Sequence, residues 1–441
     1  MAQSLQLSTS TEYNEIPLES RDLYVMATIN APDVEVERTP IDVTCVIDRS
    51  GSMAGDKMNL VKDTLTFMID QLTDHDNLAL IIFDDVIDTV LEFTKMTQEN
   101  RTKAKDIVKK IRDRNSTNIS DALYKALEVC KNRVAPNDVG SILLFTDGQA
   151  NAGLTSSDQI VAGMDSLMTM NKPVSVFTFG FGSDHDANML RSVAEAGNGL
   201  YYYVQKTDEI AQAFSDCLGG LLSVTAQNIK LRIDPLEGVN IKAIHSSSYK
   251  KLSDNEIRIG DLYSGESKDI IFEVTLSAVT SEQPHLQNIV VVNLSYYNVQ
   301  NKKLDEVKVT ASIQRSSAAN TDKKNEQVDK QIIRVKQAEA LLRSRIAADK
   351  GDYEGARNIL NSQKAFLEES EYREGDYCQK MAFEMNDLIS DMATPQLYAQ
   401  QGNKKLNCNW SALSNQRSNA IDSEYATKSK KRMYKKYSEN K

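Results

Sequence analysis

Between residues 40 and 221 the sequence alternates short, continuous apolar runs with amphipathic helical stretches, and few folds accept that pattern. The runs IDVTCVID (41–48), NLALIIFD (77–84), SILLFTD (141–147) and VSVFTFGF (174–181) are rich in Val, Ile and Phe. They lack the polar alternation of a strand with one wet face. Such runs suit strands buried on both faces, as in a mainly parallel sheet between helices. Helical patterns fall between them, at about 56–72, 98–113, 118–133, 157–170, 186–196 and 207–218. The step from residue 84 to IDTVLEF (87–93) is too short for a helix. That strand is therefore expected to be antiparallel and at an edge. LYYYV (200–204) completes the set. The expected fold of residues 40–221 is a doubly wound α/β domain.

The flanks follow other periodicities. Residues 222–315 carry NIKLRID, VNIKAIH, EIRIGDL, DIIFEVTLSAV, NIVVVNLSYYNV and EVKVTASIQ, separated by turn signals such as DPLEG and YSGES. Strands without helices predict an all-β sandwich. LYVMATI (23–29) has the same character. Residues 1–39 are therefore expected to add strands to that sandwich, with the α/β domain inserted in it. Residues 316–327, SSAANTDKKNEQ, read as a linker. Residues 328–395 form a helical region. Its first helix places Ile332, Val335, Leu341, Leu342 and Ile346 roughly on one stripe. Residues 396–441 are polar, and 428–441 hold seven basic residues against Glu439 alone. This segment is expected to be a flexible tail. Gly219 and Gly220 are expected either to end the helix at 207–218 or to hinge it into the sandwich.

Three loops of the α/β domain share one chemistry. DRSGSM (48–53) follows the first apolar strand and precedes a helix. Its Asp-x-Ser-x-Ser spacing turns Asp48, Ser50 and Ser52 toward one point, and Gly51 lets the backbone make the turn. Thr117 stands just before the helix ISDALYKAL, and Asp147 ends the strand SILLFT, followed by Gly148. All three loops lie at the carboxyl ends of strands, where sheets of this kind bind ligands. Two carboxylates and three hydroxyls are hard oxygen donors, suited to Mg²⁺, Ca²⁺ or Mn²⁺.

DRSGSM, STNISDAL (116–123) and LLFTDGQAN (143–151) together resemble the metal-ion-dependent adhesion site of the von Willebrand factor A family. The resemblance covers about 180 residues. It implies a Rossmann-like A domain whose ion is held by Asp48, Ser50, Ser52, Thr117 and Asp147. It also implies a protein partner that supplies a carboxylate to the ion's open position. Arg49, Asn115, Ser116 and Gly148 would form the rim that the partner meets. Many family members have Gly-Gly where this chain has Asn115-Ser116, which reshapes that rim. The overall layout is similar to that of intracellular A-domain proteins with a flanking β-sandwich and C-terminal helices. Plant members often add a RING zinc finger and act as ubiquitin ligases, but this sequence has no Cys/His cluster of RING spacing.

Other functions find less support. The net charge is −10, which argues against a general nucleic-acid binder. No apolar run reaches membrane-spanning length, and the N-terminus lacks a secretory pattern. Five scattered cysteines without CxxC read as buried free thiols. An intracellular location is expected. There is no HExxH, GxSxG or phosphate loop. Asp84 and Asp85 are the sole general-base candidates near the ion loops. The expected function is a non-enzymatic, divalent-cation-dependent interaction module. The alternative is a non-catalytic subunit of a ubiquitin-ligase or chelatase-like assembly.

Overall fold

The computed structural model describes the chain except residues 1–3, 34–37, 115, 148–149, 171, 183–184, 205–206, 246–247, 281–282, 418–424 and 440–441, and the side chains of 207–208. Two compact units result. One comprises Met1–Val34 and Thr225–Arg417, the other Glu35–Val224 and Ser418–Lys441.

The first unit begins with strands β1 (Gln6–Thr11), β2 (Glu15–Ile16) and β3 (Arg21–Asn30). The chain then builds the second unit from β4 (Ile41–Asp48), α1 (Asp56–Gln71), β5 (Asn77–Phe83), β6 (Ile87–Lys95), α2 (Gln98–Lys110) and α3 (Ile119–Lys131). It continues with β7 (Val139–Thr146), α4 (Ser157–Leu167), β8 (Val174–Phe181), α5 (Ala187–Ala196), β9 (Tyr201–Val204) and α6 (Thr207–Leu221). The sheet order is β6-β5-β4-β7-β8-β9, parallel throughout except for the antiparallel edge strand β6. Every residue of β4, β7 and β8 is buried, as their unbroken apolar runs require.

Back in the first unit, β10 (Val224–Pro235), β11 (Val239–His245), β12 (Lys250–Ser253), β13 (Glu256–Tyr263), β14 (Ser267–Leu276), β15 (His285–Asn298) and β16 (Lys303–Arg315) complete two sheets. Their orders are β1-β3-β14-β11 and β12-β13-β10-β15-β16-β2, so the N-terminal strands join both. Leu23, Val25, Ala27 and Ile29 point from β3 into the sandwich core. Met26 on the opposite face of β3 packs with Val328, Ile332 and Val335. Those three belong to α7 (Glu326–Asp349), which thus covers the outside of the β3–β14 sheet. Helices α8 (Tyr353–Glu368), α9 (Asp376–Asp391), the short α10 (Pro395–Leu397) and α11 (Asn403–Asn415) follow.

The C-terminal segment differs from the expectation of a flexible tail. Trp410 of α11 is buried with Leu341, Leu360, Met385 and Leu413. Arg417 is buried too, its guanidinium on both oxygens of Glu266 at 2.6 and 2.9 Å and over the Tyr263 ring. The last helix, α12 (Lys428–Glu439), belongs to the α/β unit and packs against α6. Hydropathy hides this, because the buried groups include charges whose partners lie far away in sequence. The linker is also shorter than expected, since α7 begins at Glu326. Ile346, placed on its apolar stripe, is 44% exposed.

Gly219 and Gly220 neither end α6 nor interrupt it; the helix runs on to Leu221. A side chain at Gly219 would bring its Cβ within 2.9 Å of the Lys430 Cα, so the glycine admits the backbone of α12. The Ser429 hydroxyl donates to the Gly219 carbonyl at 2.9 Å, and Tyr437 meets Phe67 edge to face. Gly219→Ala should therefore destabilise the α/β unit by about 1–3 kcal/mol through overpacking. Urea denaturation of the full chain measures it, and an unchanged midpoint would contradict this packing.

Candidate metal centre

The sheet order reverses beside β4. The chain leaves β4 toward β5 and β6 and returns on its other side as β7. That switch point opens a crevice at the carboxyl ends of adjacent strands. Asp48 ends β4, and Asp147 follows the last residue of β7.

The first loop holds itself in shape. The Asp48 Oδ1 accepts from the Ser50 N–H at 2.8 Å, an Asx-type turn. A single 3₁₀ turn, Gly51–Met53, comes next, and the fully buried Met53 anchors it. Gly51 passes so near the neighbouring loop that a Cβ there would lie 3.2 Å from the Arg114 carbonyl oxygen. The Arg114 N–H donates to the Arg49 carbonyl at 2.6 Å, tying the two loops together.

The side chains then converge. The hydroxyls of Ser50 and Ser52 are 3.1 Å apart, and Ser52 Oγ donates to Asp147 Oδ1 at 2.8 Å. The Thr146 hydroxyl donates to Asp48 Oδ2 at 2.5 Å. Lys57, in the first turn of α1, pairs with Asp147 Oδ2. Thr117 is held alongside by backbone bonds. Its N–H donates to Asn151 Oδ1 at 2.9 Å, and its carbonyl accepts from the N–H groups of Asn151 and Ala152. No hydrogen bond joins the Thr117 side chain to the other four among the described residues. Asp48, Ser50, Thr117 and Asp147 are buried, and Ser52 is exposed, so the cluster opens to solvent on the Ser52 side.

This cluster is short of positive charge. Burial pushes the Asp48 carboxyl up to about 6, and the nearby Asp147 adds to that, against hydrogen bonds from Thr146 and Ser50. Among the described residues no cationic side chain pairs with Asp48. Nor do three His, Cys, Asp or Glu side chains converge anywhere among them as a metal site. Any ion here would need a mixed set of carboxylates and hydroxyls, which fits Mg²⁺, Ca²⁺ or Mn²⁺ and not Zn²⁺.

The von Willebrand factor type A domain family matches residues 42–216. The chain carries a von Willebrand factor type A domain. The E3 ubiquitin-protein ligase WAV3 of Arabidopsis thaliana is 27% identical over 255 residues, 56% of this chain and 32% of the ligase. The inter-alpha-trypsin inhibitor heavy chain H3 of Rattus norvegicus is 32% identical over 167 residues, 36% of this chain and 19% of the heavy chain. This chain thus spans a third or less of either relative. Among solved structures, a von Willebrand factor type A protein from Catenulispora acidiphila has a TM-score of 0.67 at 16% identity, covering 93% of this chain and 97% of its own. The ArnB paralog VWA2 from Sulfolobus acidocaldarius has a TM-score of 0.58, also at 16% identity, covering 93% and 99%. Both likenesses concern the fold.

Several expected site residues in the A domain have other roles. Arg49 does not face outward as part of a rim. Its Nε lies 2.9 Å from Asp84 Oδ2 and its other end 2.7 Å from Asp88, so it braces the loop from beneath. Ser116 is half-buried beside Thr117, while Asn115 and Gly148 lie outside the described residues. Asp84 makes a poor base. Burial raises its carboxyl, but the Val86 N–H and the Arg49 guanidinium outweigh this and hold it below its ordinary value. The sequence reading missed Lys57, Thr146 and Asn151. Thr146 gave a signal, as a hydroxyl closing an otherwise apolar strand. Lys57 gave none, because a lysine in an exposed first helical turn reads as solvated. Cys45, Cys130, Cys217 and Cys378 are buried. No helix among the described residues is long and apolar enough to cross a membrane.

Proposed function

We propose that the A domain is a divalent-cation-dependent protein-interaction module. In this reading Asp48, Ser50, Ser52, Thr117 and Asp147 hold a hard ion, Mg²⁺ or else Ca²⁺ or Mn²⁺. The observation that carries it is the buried Asp48 carboxylate, which has no cationic partner among the described residues and sits beside a second carboxylate and two serine hydroxyls. A hard ion held by few protein oxygens keeps exchangeable positions, and an acidic side chain of a partner can take one. The exposed Ser52 side is where a partner would enter. Two relatives with this domain are named as a ubiquitin-protein ligase and a trypsin inhibitor's heavy chain, names that suit a protein-binding role. The module is not itself an enzyme in this reading: Asp84, one of its two base candidates, is committed to Arg49.

Panning a random peptide library against the full chain in Mg²⁺ tests this. Bound peptides should be enriched in Asp or Glu and should lose at least about tenfold in affinity when a chelator removes the ion. Peptides that lack acidic residues, or that bind undiminished in chelator, would overturn it. The match to the plant ligase favours a second reading, a non-catalytic subunit of a ligase assembly. Purification of the chain with a RING subunit at fixed stoichiometry would select that reading.

A further inference from the structure

We infer that the exposed face of α12 is an electrostatic docking surface for an anionic phospholipid bilayer. Lys428, Lys431, Arg432, Lys435 and Lys436 are exposed, while Lys430, Met433 and Tyr437 are buried. The exposed set recurs at i, i+3, i+4, i+7 and i+8, which is one face of a helix. It forms a basic stripe about 12 Å long, at 1.5 Å of rise per residue.

The helix is built against its own electrostatics. Its first turn contains lysines and no acidic residue, although a helix N-terminus favours negative charge. Lys428 and Arg432, Lys431 and Lys435, and Arg432 and Lys436 are like-charged pairs four residues apart, which weaken a helix. Lys435 also lies 3.8 Å from Glu439. Packing keeps the helix formed regardless: Tyr437 sits on Phe67, Lys430 pairs with Asp216 at 2.6 Å, and the backbone lies against Gly219. The chain therefore presents a fixed row of cations whose mutual repulsion is relieved when a polyanion covers it.

The chemistry of the stripe selects the polyanion. Four of its five cations are lysines, compact point charges without the planar fork that reads phosphates and bases bidentately. No large apolar side chain of α12 is exposed. On α12 only the half-buried Tyr434 lies beside the stripe, and a single partly covered ring is no platform for successive bases and no anchor among acyl chains. A lysine row without anchors fits the diffuse negative surface of a bilayer. The net charge of −10 does not prevent this, since at physiological salt repulsion is screened beyond about 8 Å.

Flotation of the full chain with vesicles tests the assignment. It should bind vesicles of phosphatidylcholine and phosphatidylserine in equal parts, release at high salt, and ignore pure phosphatidylcholine. Lys431→Glu/Arg432→Glu/Lys436→Glu should weaken binding at least about tenfold. Its thermal midpoint should stay at or above wild type, because the reversals relieve like-charge pairs. The milder Lys431→Gln/Lys436→Gln should fall between, which guards against a folding defect in the triple variant. Wild-type chain that ignores the anionic vesicles at low salt, or binds neutral ones equally, overturns the inference. So does binding to RNA or polyglutamate without binding to vesicles, which would assign the stripe to a nucleic acid or an acidic protein.

Discussion

Mg²⁺ added to the full chain should raise the melting temperature of the α/β unit, and Asp48→Asn should abolish that response. An ion that binds only the folded state stabilises by about 2.7 kcal/mol at a hundredfold excess over its Kd. In a unit of about 200 residues each kcal/mol moves Tm by about 2–4 °C, so the shift should be several degrees. Asparagine is chosen over alanine because it retains an oxygen for the Ser50 N–H and leaves no cavity beneath the loop. The ion-free variant should melt at or above the ion-free wild type. It removes a buried charge that among the described residues has only neutral hydrogen-bond donors around it. This pairing, a loss of ion response without loss of basal stability, separates a binding site from a structural contact. Equal Mg²⁺ shifts in the two proteins would remove Asp48 from any ion site.

The sheet and the loops at its carboxyl edge were legible for the same physical reason. A strand buried on both faces must be apolar throughout, so β4, β7 and β8 announce themselves, and the loops at their carboxyl ends are then placed by topology. The position of Thr117 beside that edge was legible because it precedes an amphipathic helix, α3. Arg49 was misread because its partners, Asp84 and Asp88, come from the following hairpin, and nothing local shows that a guanidinium will turn inward. The C-terminus was misread for a stronger version of that reason. Lys404, Asn407, Arg417 and Lys430 are buried, yet each lowers the local hydropathy. Arg417 is compensated by Glu266 and Lys430 by Asp216, both well over a hundred residues away. Burial of a charge is decided by its partner, and sequence periodicity reports only the apolar part of a face.

That dependence makes the Lys430–Asp216 pair the place where the α/β unit should be most sensitive outside its core. Both side chains are at most 3% exposed, and Asp216 also accepts from the Tyr202 hydroxyl at 2.7 Å. Neither partner can reach water without α12 leaving its place on α6. Asp216→Ala should therefore cost about 3–5 kcal/mol, because it strands an ammonium in the interior. Lys430→Met should cost less, since the methionine fills the same channel and the remaining carboxylate keeps its tyrosine. Asp216→Leu/Lys430→Met together should recover most of the loss, because a buried ion pair is roughly balanced against a well-packed apolar one. Urea denaturation of these proteins together with Asp216→Leu alone closes the cycle, and amide exchange across residues 428–439 reports whether α12 stays docked. Asp216→Ala should expose those amides, and the double variant should protect them again. Additive costs with no recovery in the double variant would mean that the two residues act separately, and that packing of Tyr437 and Met433 alone holds the helix.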